Sequence, residues 1–373
     1  MKTPAPSMPV EHRLGRAPER VLIIRPSALG DVCRSVPVLA SLRAHWPHAT
    51  IDWLVQDTFA AAVREHPALG DPRRPDERAS HAIEFPRARF GRWSPATTLE
   101  LLRWLESLRR TRYDVVIDAQ GLLRSGIFAL WTRAPIRAGY RRAPELAWLG
   151  YNHRAEVGHE RHEHAVNRML ALVESLGVAP ICDMRLYTSA AANRFAADRV
   201  ADRAPRFVVV APTSRWEGKR WPAERHANVV RALLADRSLG LDGVAVVGSQ
   251  HERAQVGPLL ELAASDSRVV DLVGATSVET LMGVIERSSL VIASDSAALH
   301  MAVGFDRPIV ALFGPTRVDL VGPFRRSNDV LQHIEPGDTM DHKNAAAGRL
   351  LMERIGIDEV LAAASSRLGA QAQ

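Results

Sequence analysis

Two carboxylates in this sequence stand where an apolar, strand-like run gives way to a helix. Asp31 follows the run 21–24 through the loop 25–30, and Asp295 follows the run 290–294 and precedes the segment 296–300. Ligands of open α/β sheets collect at the carboxyl ends of strands. Two such units near the two ends of one chain predict two facing halves with a ligand cleft between them.

The elements that must position these carboxylates alternate between strand and helix. Apolar runs predict strands at 21–25, 50–55, 81–85, 113–118, 207–211, 244–248, 269–273, 290–294 and 308–313. Apolar residues at helical spacing predict helices at 58–65, 97–110, 164–176, 222–236, 251–264, 277–287, 297–303 and 348–368. Leu101, Leu102, Leu105 and Leu108 form the predicted apolar face of the second of these helices, and the helix after Asp31 is expected to bend at Pro37. The alternation predicts parallel sheets covered on both faces, and so two doubly wound, Rossmann-like α/β domains.

The length of 373 residues favours two domains. We place a flexible N-terminal tail at 1–20, a first domain at 21–178 and a connection of weak periodicity at 179–205. A second domain follows at 206–345, and a helical tail at 346–373.

Composition and charge restrict the function classes. Cys33 and Cys182 suggest no disulfide framework, which is typical of a reducing compartment. No apolar run is long enough to span a membrane, and no signal peptide is evident, so a cytoplasmic protein is expected. Residues 1–178 hold 26 basic and 19 acidic residues, a net charge of +7, whereas residues 179–373 hold 22 and 23. The basic half points to an anionic partner, with solvated surface arginine as the alternative.

Several common motifs are absent. The sequence has no G-x-G-x-x-G after a strand, no G-x-x-x-x-G-K-[ST] and no G-x-S-x-G, which counts against nicotinamide, ATPase and serine hydrolase sites. The histidine-rich segment 153–164 lacks the H-E-x-x-H spacing, so a polar exposed segment is favoured over a cation site. No metal and no cofactor are expected.

Further residues could bind phosphate. The helix predicted after Asp295 offers free N–H groups near Ser296 and Ala297, and His300 lies one turn further on. Lys219, one of only three lysines, lies in a loop between a strand and a helix, beside Thr213 and Ser214. A satisfied core histidine and a surface lysine are the alternatives.

Five motifs occur in order: Ser27-Ala-Leu-Gly-Asp31, Asp118-Ala-Gln-Gly-Leu122, Lys219-Arg-Trp-Pro222, Ser294-Asp-Ser-Ala-Ala-Leu-His-Met-Ala302 and Phe313-Gly-Pro-Thr316. Together they resemble the ADP-heptose:lipopolysaccharide heptosyltransferases of glycosyltransferase family nine, which have the GT-B architecture. Tyr151-Asn152 and the segment 164–168 are similar to the heptosyltransferase I branch. The resemblance covers about residues 21–320.

The resemblance implies roles for individual residues. It makes Asp31 the general base, whereas the residues alone also allow a first-turn helix carboxylate. It places Lys219, Thr213, Ser214, Asp295, Ser296, Ala297 and His300 at the donor diphosphate. Glu252 would hold the donor ribose, with helix-end stabilisation as an equal alternative. Gly30, Gln120, Arg124, Arg137, Arg141 and Arg142 would bind an anionic acceptor.

The resemblance thus implies an inverting, metal-independent transfer of heptose from ADP-heptose to the Kdo inner core of a lipid A-type acceptor. The protein would contact the cytoplasmic face of the inner membrane peripherally and bind no nucleic acid. The family pattern has Gly where Ala297 stands, so another nucleotide-sugar or glycan acceptor stays open. A GT-B-like nucleotide-sugar epimerase and a nucleic-acid-binding protein are further alternatives.

Overall fold

Each half of the chain builds one parallel six-stranded sheet. The computed structural model describes residues 9–92, 94–159 and 162–370, and the chain divides into two units, at Tyr187 and Thr188. The strands of the first unit are Arg20–Ile24 (β1), Thr50–Gln56 (β2), Ala82–Phe85 (β3), Val115–Asp118 (β4), Ile136–Tyr140 (β5) and His153–Ala155 (β6). Those of the second unit are Phe207–Ala211 (β7), Gly243–Gly248 (β8), Val269–Val273 (β9), Leu290–Ser294 (β10), Ile309–Leu312 (β11) and Val330–Leu331 (β12).

Helices connect the strands in both units. Those of the first unit are Val10–Leu14 (α1), Leu29–Arg34 (α2), Val36–His45 (α3), Ala61–Arg64 (α4), Arg87–Phe90 (α5), Pro95–Arg110 (α6), Leu123–Thr132 (α7) and Ala165–Glu174 (α8). Those of the second unit are Ala190–Ala196 (α9), Ala223–Ala235 (α10), Gly257–Ser265 (α11), Val278–Arg287 (α12), Ala297–Gly304 (α13), Val318–Val321 (α14), Ala345–Glu353 (α15) and Ile357–Ala370 (α16). None of these helices has both the length and the apolar character needed to cross a membrane.

The two sheets have the same strand order. The first runs β3-β2-β1-β4-β5-β6 and the second β12-β11-β10-β7-β8-β9, with all pairs parallel. Counted within its own unit, each is the 3-2-1-4-5-6 order of a doubly wound dinucleotide-binding fold. The predicted fold class is therefore confirmed. The direction of winding reverses between β1 and β4 in the first unit and between β7 and β10 in the second. We call the carboxyl ends of these two strand pairs the first and the second switch point.

The central strands are apolar on both faces. Val21–Ile24 of β1 and all of β7 and β10 are buried, as expected for parallel strands covered by helices on both sides. The sequence missed β5, β6 and β12. β6 and β12 have only three and two residues, and β5 contains Arg137 and Gly139, so none shows an apolar run.

The domain boundaries need correction. The region 1–20 is not wholly a loose tail, because α1 packs on the first unit: Val10 is buried, and its N–H donates to the Leu176 carbonyl at 3.2 Å. Residues 1–8 lie outside the described part. The region 179–205 is not only a connection, since α9 packs on α12 where Gly283 leaves room for the Ala192 backbone.

The C-terminal region is part of the second unit rather than a tail. Met352 of α15 and Val360, Ala364 and Leu368 of α16 are buried in the apolar core of that unit.

Two helices predicted from the sequence are each divided into two elements in the structure. The helix after Asp31 breaks at Ser35, with Pro37 in the first turn of α3 where no N–H is needed, and the helix predicted at 251–264 begins as a 3-10 turn, Gln250–Gln255.

Candidate active site

Asp31 lies at the first switch point, in the first turn of α2 and beyond the loop that follows β1. It is the third residue of α2, where its Oδ2 accepts a hydrogen bond from the Ala28 N–H at 3.3 Å. Arg25, which follows β1, approaches Oδ2 with its Nη2 at 2.9 Å, and Arg34, one helical turn further on, pairs with Oδ1. A carboxylate with two guanidinium partners therefore marks this switch point.

The two arginines determine the protonation state of Asp31. Burial raises the pKa of this carboxyl, but the charges of Arg25 and Arg34 outweigh it and hold the pKa well below its usual range. A general base is expected to have a pKa near working pH. Asp31 is therefore ionised at neutral pH, and the two arginines lower its intrinsic basicity.

The neighbouring strand supports the Asp31 loop. The Ser27 N–H donates to Gln120 Oε1 at 3.2 Å, and Arg25 Nη1 donates to the Ala119 carbonyl at 2.5 Å. Gln120, predicted to bind an acceptor, thus positions the loop that precedes Asp31. Gly30 is the second residue of α2 and has no left-handed backbone conformation.

Asp118 closes β4 on the other side of the switch point. It is fully buried; Oδ1 accepts from the N–H groups of Gln120 and Gly121 at 2.9 and 3.0 Å, and Oδ2 accepts from the Tyr151 hydroxyl at 2.5 Å. Burial raises the pKa of Asp118 and that of Tyr151. With all these bonds internal, Asp118 shapes the loop that carries Gln120.

The predicted acceptor arginines do not form one group. Arg124 lies exposed over the Phe85 ring, Arg142 is exposed, and Arg141 pairs with Glu156 just past β5. The prediction that Arg137 binds the acceptor is wrong. Its guanidinium donates to the carbonyls of Ala134, before β5, and Gly150, so it points toward the amino ends of the strands rather than toward the Asp31 edge.

Lys219 and Asp295 meet at the second switch point. The Lys219 Nζ lies 2.6 Å from Asp295 Oδ2, although the residues are 76 positions apart, and both side chains are largely buried. Burial raises the pKa of Asp295, but the Lys219 charge outweighs it and the net pKa is lowered. The sequence predicted both residues at the phosphate site but not their ion pair.

The helix after Asp295 presents its N-terminus at the same switch point. Ser296 is the N-cap of α13 and Ala297 its first residue. Within the described residues, the buried Ser296 Oγ has no hydrogen-bond partner, which is costly unless a ligand supplies one. His300 is buried in α13, and its electrostatic interaction with Asp295 contributes to the lowered pKa of that carboxyl. These predicted donor residues are therefore brought together.

Thr213 and Glu252 meet beside β7 and β8. Glu252 Oε2 accepts from the Thr213 hydroxyl at 3.0 Å and from the N–H and hydroxyl of Ser249 at 3.0 and 2.7 Å. Ser249 and Glu252 form a capping box at the turn after β8. Glu252 therefore makes the helix-end interaction that was its alternative role. Ser214 is buried, and its carbonyl accepts from Arg220 Nε at 2.8 Å.

Some site residues were missed from sequence. Arg34 lies three residues after Asp31 in a predicted helix, and that spacing could have revealed the pair. Gln332 donates to the carbonyls of Gly314 and Thr316 at 2.7 and 2.8 Å and so holds the loop after β11. It gives no local signal, because it follows a two-residue strand.

The histidine-rich segment is only partly described, since Glu160 and Arg161 lie outside the described residues. The rings of His159 and His162 are 5.7 Å apart. Across residues 9–92, 94–159 and 162–370, no group of three or more His, Cys, Asp or Glu side chains could hold a metal ion. Cys33 is a free thiol, and burial raises its pKa to about 12.

Known proteins share this sequence pattern and fold. The family model described as glycosyltransferase family 9 (heptosyltransferase) matches residues 101–348. The lipopolysaccharide heptosyltransferase 1 of Escherichia coli O18:K1:H7 (strain RS218 / NMEC) is 28% identical over 338 residues, which cover 90% of this chain and 97% of that protein.

Two solved structures show the same architecture. The glycosyl transferase family 9 protein from Veillonella parvula DSM 2008 aligns with a TM-score of 0.78 at 21% identity, over 94% of this chain and 97% of that chain. The E. coli heptosyltransferase WaaC with ADP-2-deoxy-2-fluoro heptose aligns with a TM-score of 0.67 at 24% identity, over 90% and 99%. Since the family model covers most of the chain and includes the Lys219 and Asp295 switch point, this protein belongs to glycosyltransferase family 9.

Proposed function

We propose that this enzyme transfers heptose from ADP-heptose to the Kdo inner core of a lipid A-type acceptor, with inversion at the anomeric carbon. The observation that carries the proposal is the pair of switch points, one with an ionised carboxylate and the other with a buried ammonium beside a helix N-terminus. Similarity to lipopolysaccharide heptosyltransferase 1 of two Escherichia coli strains supports heptose as the sugar. The structural likeness to a heptosyltransferase solved with ADP-2-deoxy-2-fluoro heptose supports an ADP-linked donor.

Asp31 is the proposed base. The acceptor oxygen forms its bond to the anomeric carbon while the bond from that carbon to the diphosphate oxygen breaks. The acceptor proton passes to Asp31, and ADP leaves with the bonding electron pair. Because the pKa of Asp31 is lowered, proton transfer is favourable only late, when the hydroxyl has become acidic through bond formation. Arg25 and Arg34 keep the carboxylate ionised and fix its orientation.

Lys219 and the start of α13 are the proposed site of the diphosphate. The Lys219 ammonium, the Ser296 hydroxyl and the first N–H groups of α13 would stabilise charge that develops on the leaving group. Asp295 holds the ammonium in place before the donor arrives. This set supplies positive charge from the protein's own residues, so we propose a reaction that needs neither metal nor cofactor.

The acceptor and its membrane form the anionic partner in this proposal. The first half carries the whole excess of positive charge, which suits a substrate with phosphate and carboxylate groups and a peripheral contact with the inner membrane. Of the predicted acceptor residues, Arg124, Arg141 and Arg142 stay candidates. Arg137 points away from the Asp31 edge and has no acceptor role in this proposal.

A second candidate is transfer of another sugar within the same family. It is favoured by Ala297, because its methyl group lies at the first residue of α13, where a diphosphate must approach the backbone. Membership of a glycosyltransferase family counts against the epimerase and nucleic-acid alternatives.

Thermal stabilisation by nucleotides tests the proposal. A ligand that binds only the native state raises Tm, so ADP and ADP-heptose should raise it, and UDP and UDP-glucose should not. Transfer is then followed with ADP-heptose and a Kdo-lipid A acceptor, with and without EDTA. Stabilisation by UDP-sugars alone would move the assignment to the second candidate. Transfer abolished by EDTA would refute the metal-independent chemistry.

A further inference from the structure

Helix α7 exposes apolar side chains where a surface helix is normally polar. Leu123, Ile127, Leu130 and Trp131 are spaced i, i+4, i+7 and i+8, so they share one face of the helix. All four are exposed, while Ser125, Phe128 and Ala129 turn inward. An apolar stripe facing solvent has no folding purpose and indicates an interaction surface.

The turn that follows β5 extends this surface. A 3-10 turn, Ala147–Gly150, packs directly on α7, since a Cβ built on Gly150 would overlap the Gly126 carbonyl. Leu146, which immediately precedes this turn, and Leu149 within it are both exposed. We call the six residues Leu123, Ile127, Leu130, Trp131, Leu146 and Leu149 the α7 patch. Their exposed fractions run from 37% to 58%.

The neighbouring helix α6, which packs on α7, adds Leu99 and Leu102. The sequence predicted Leu102 on the buried face of this helix, but it is exposed. Eight of the eleven exposed large apolar side chains in the described residues therefore fall between Leu99 and Leu149. Such clustering distinguishes the region from the scattered exposed leucines of an ordinary surface.

Positive charge borders the C-terminal end of the α7 patch. Residues 95–150 contain nine arginines and five acidic residues, and two of those acids, Asp114 and Asp118, are buried. Arg109, Arg133 and Arg137 line an open cavity of about 380 Å³ together with Leu130 and Trp131. Apolar side chains with tryptophan, bordered by arginines, are the composition that binds the interface of an anionic bilayer.

We propose that the α7 patch is the surface by which this enzyme docks on an anionic phospholipid membrane. The apolar side chains enter the headgroup and acyl boundary, and the arginines of the cavity bind lipid phosphates. A second copy of the chain fits the patch less well, because a symmetric contact would bring the same arginines face to face. The proposal rests on the proposed function, since it names the surface that brings the enzyme to its lipid-anchored acceptor.

Vesicle flotation tests the surface. The full chain is mixed with phosphatidylcholine vesicles that contain about one-third phosphatidylglycerol, and with phosphatidylcholine vesicles alone. The double variant Ile127→Ser, Leu130→Ser should lower binding to the anionic vesicles about tenfold. Arg109→Gln with Arg133→Gln should lower it severalfold and remove most of its salt dependence. Leu350→Ser, at a more exposed leucine of the second unit, and Arg231→Gln are matched controls that should bind as wild type does.

The outcomes separate this proposal from the proposed function. If ADP raises the Tm of both double variants as much as it raises that of wild type, the variants fold and keep the second unit intact. Loss of flotation together with retained transfer to detergent-dispersed acceptor supports the docking surface. Unchanged flotation of both double variants would overturn it, and so would equal binding to neutral vesicles. A wild-type dimer that the Ile127→Ser, Leu130→Ser variant dissociates would assign the patch to self-association instead. Failure of heptose transfer with intact patch-dependent flotation would reject only the proposed function.

Discussion

The two switch points occupy equivalent positions in two sheets of the same strand order, yet their charges are arranged in opposite ways. In the first unit a carboxylate, Asp31, is held by the guanidinium groups of Arg25 and Arg34. In the second unit an ammonium, Lys219, is held by the carboxylate of Asp295. The group available for chemistry is thus an anion in the first unit and a cation in the second. A shared topology supplies a place for ligands, and the residues in the loops decide what that place does.

The two units also differ in how far apart in sequence the paired charged residues are. Arg25 and Arg34 are near Asp31 in sequence, so a short loop and one helical turn assemble the first site. Lys219 and Asp295 come from loops after different strands and meet only because β7 and β10 are adjacent. The second site therefore depends on the folded sheet, and variants there are expected to affect stability more.

The largest expected effect is that of Asp31→Asn. The amide keeps the shape but cannot take the acceptor proton, so kcat should fall by about 10²–10⁴-fold. Binding of ADP belongs to the second unit and should be unchanged, as measured by the Tm shift. Asp198→Asn, at an exposed aspartate, is the control. Full activity in Asp31→Asn would show that Asp31 is not the general base.

Lys219→Met should lower kcat by about 10²–10³-fold, because the leaving diphosphate loses its cation. It should also cost about 3 kcal/mol of unfolding free energy, since it leaves Asp295 buried and unpaired. Denaturant unfolding measures this cost. The double variant Lys219→Met, Asp295→Asn should recover most of the stability but none of the activity. Recovery of both would show that the pair is only structural.

The pH dependence of stability and of activity tests whether Arg34 lowers the pKa of Asp31. Since the pKa of Asp31 is lowered in the folded protein, its contribution to stability is present above the ordinary carboxyl value of 3.8 and is lost as the pH falls below it. Wild-type kcat/KM should show no acid limb from Asp31 between pH 5 and 8, by the same reasoning. Arg34→Gln should raise the pKa of Asp31, so the loss of stability in acid should be smaller and should end at a higher pH than in wild type, as denaturant unfolding between about pH 2 and 5 measures. A stability profile identical to that of wild type would contradict the role of Arg34.

Glu252→Gln is expected to have the smallest effect, and it separates two roles. If Glu252 only stabilises the turn after β8, unfolding free energy should fall by about 1 kcal/mol and the affinity for ADP should not change. The control Ser249→Ala breaks the same capping box from its other end. Weaker ADP binding in Glu252→Gln but not in Ser249→Ala would assign Glu252 to the donor ribose. Calorimetric titration with ADP measures the difference.

Much of the fold could be predicted because its signals are local. β1, β7 and β10 are continuous apolar runs, and each is followed by a loop and a helix, so the doubly wound class and the family resemblance were both confirmed. The exposed Leu102 shows the limit of this reasoning. A helical stripe of leucines identifies a helix, but which leucines are covered depends on the helix packed beside it.

The sequence by itself determined the two strand-end aspartates, the position of Lys219 in a loop and the excess of positive charge in the first half. Only the tertiary structure decided how these groups interact. It pairs Lys219 with Asp295, turns Arg137 toward the opposite edge of the sheet, and leaves the α7 patch uncovered. The physical reason is that a motif fixes the local backbone, whereas the charge partner of Lys219 and the exposure of a helix face depend on neighbours that are distant in sequence.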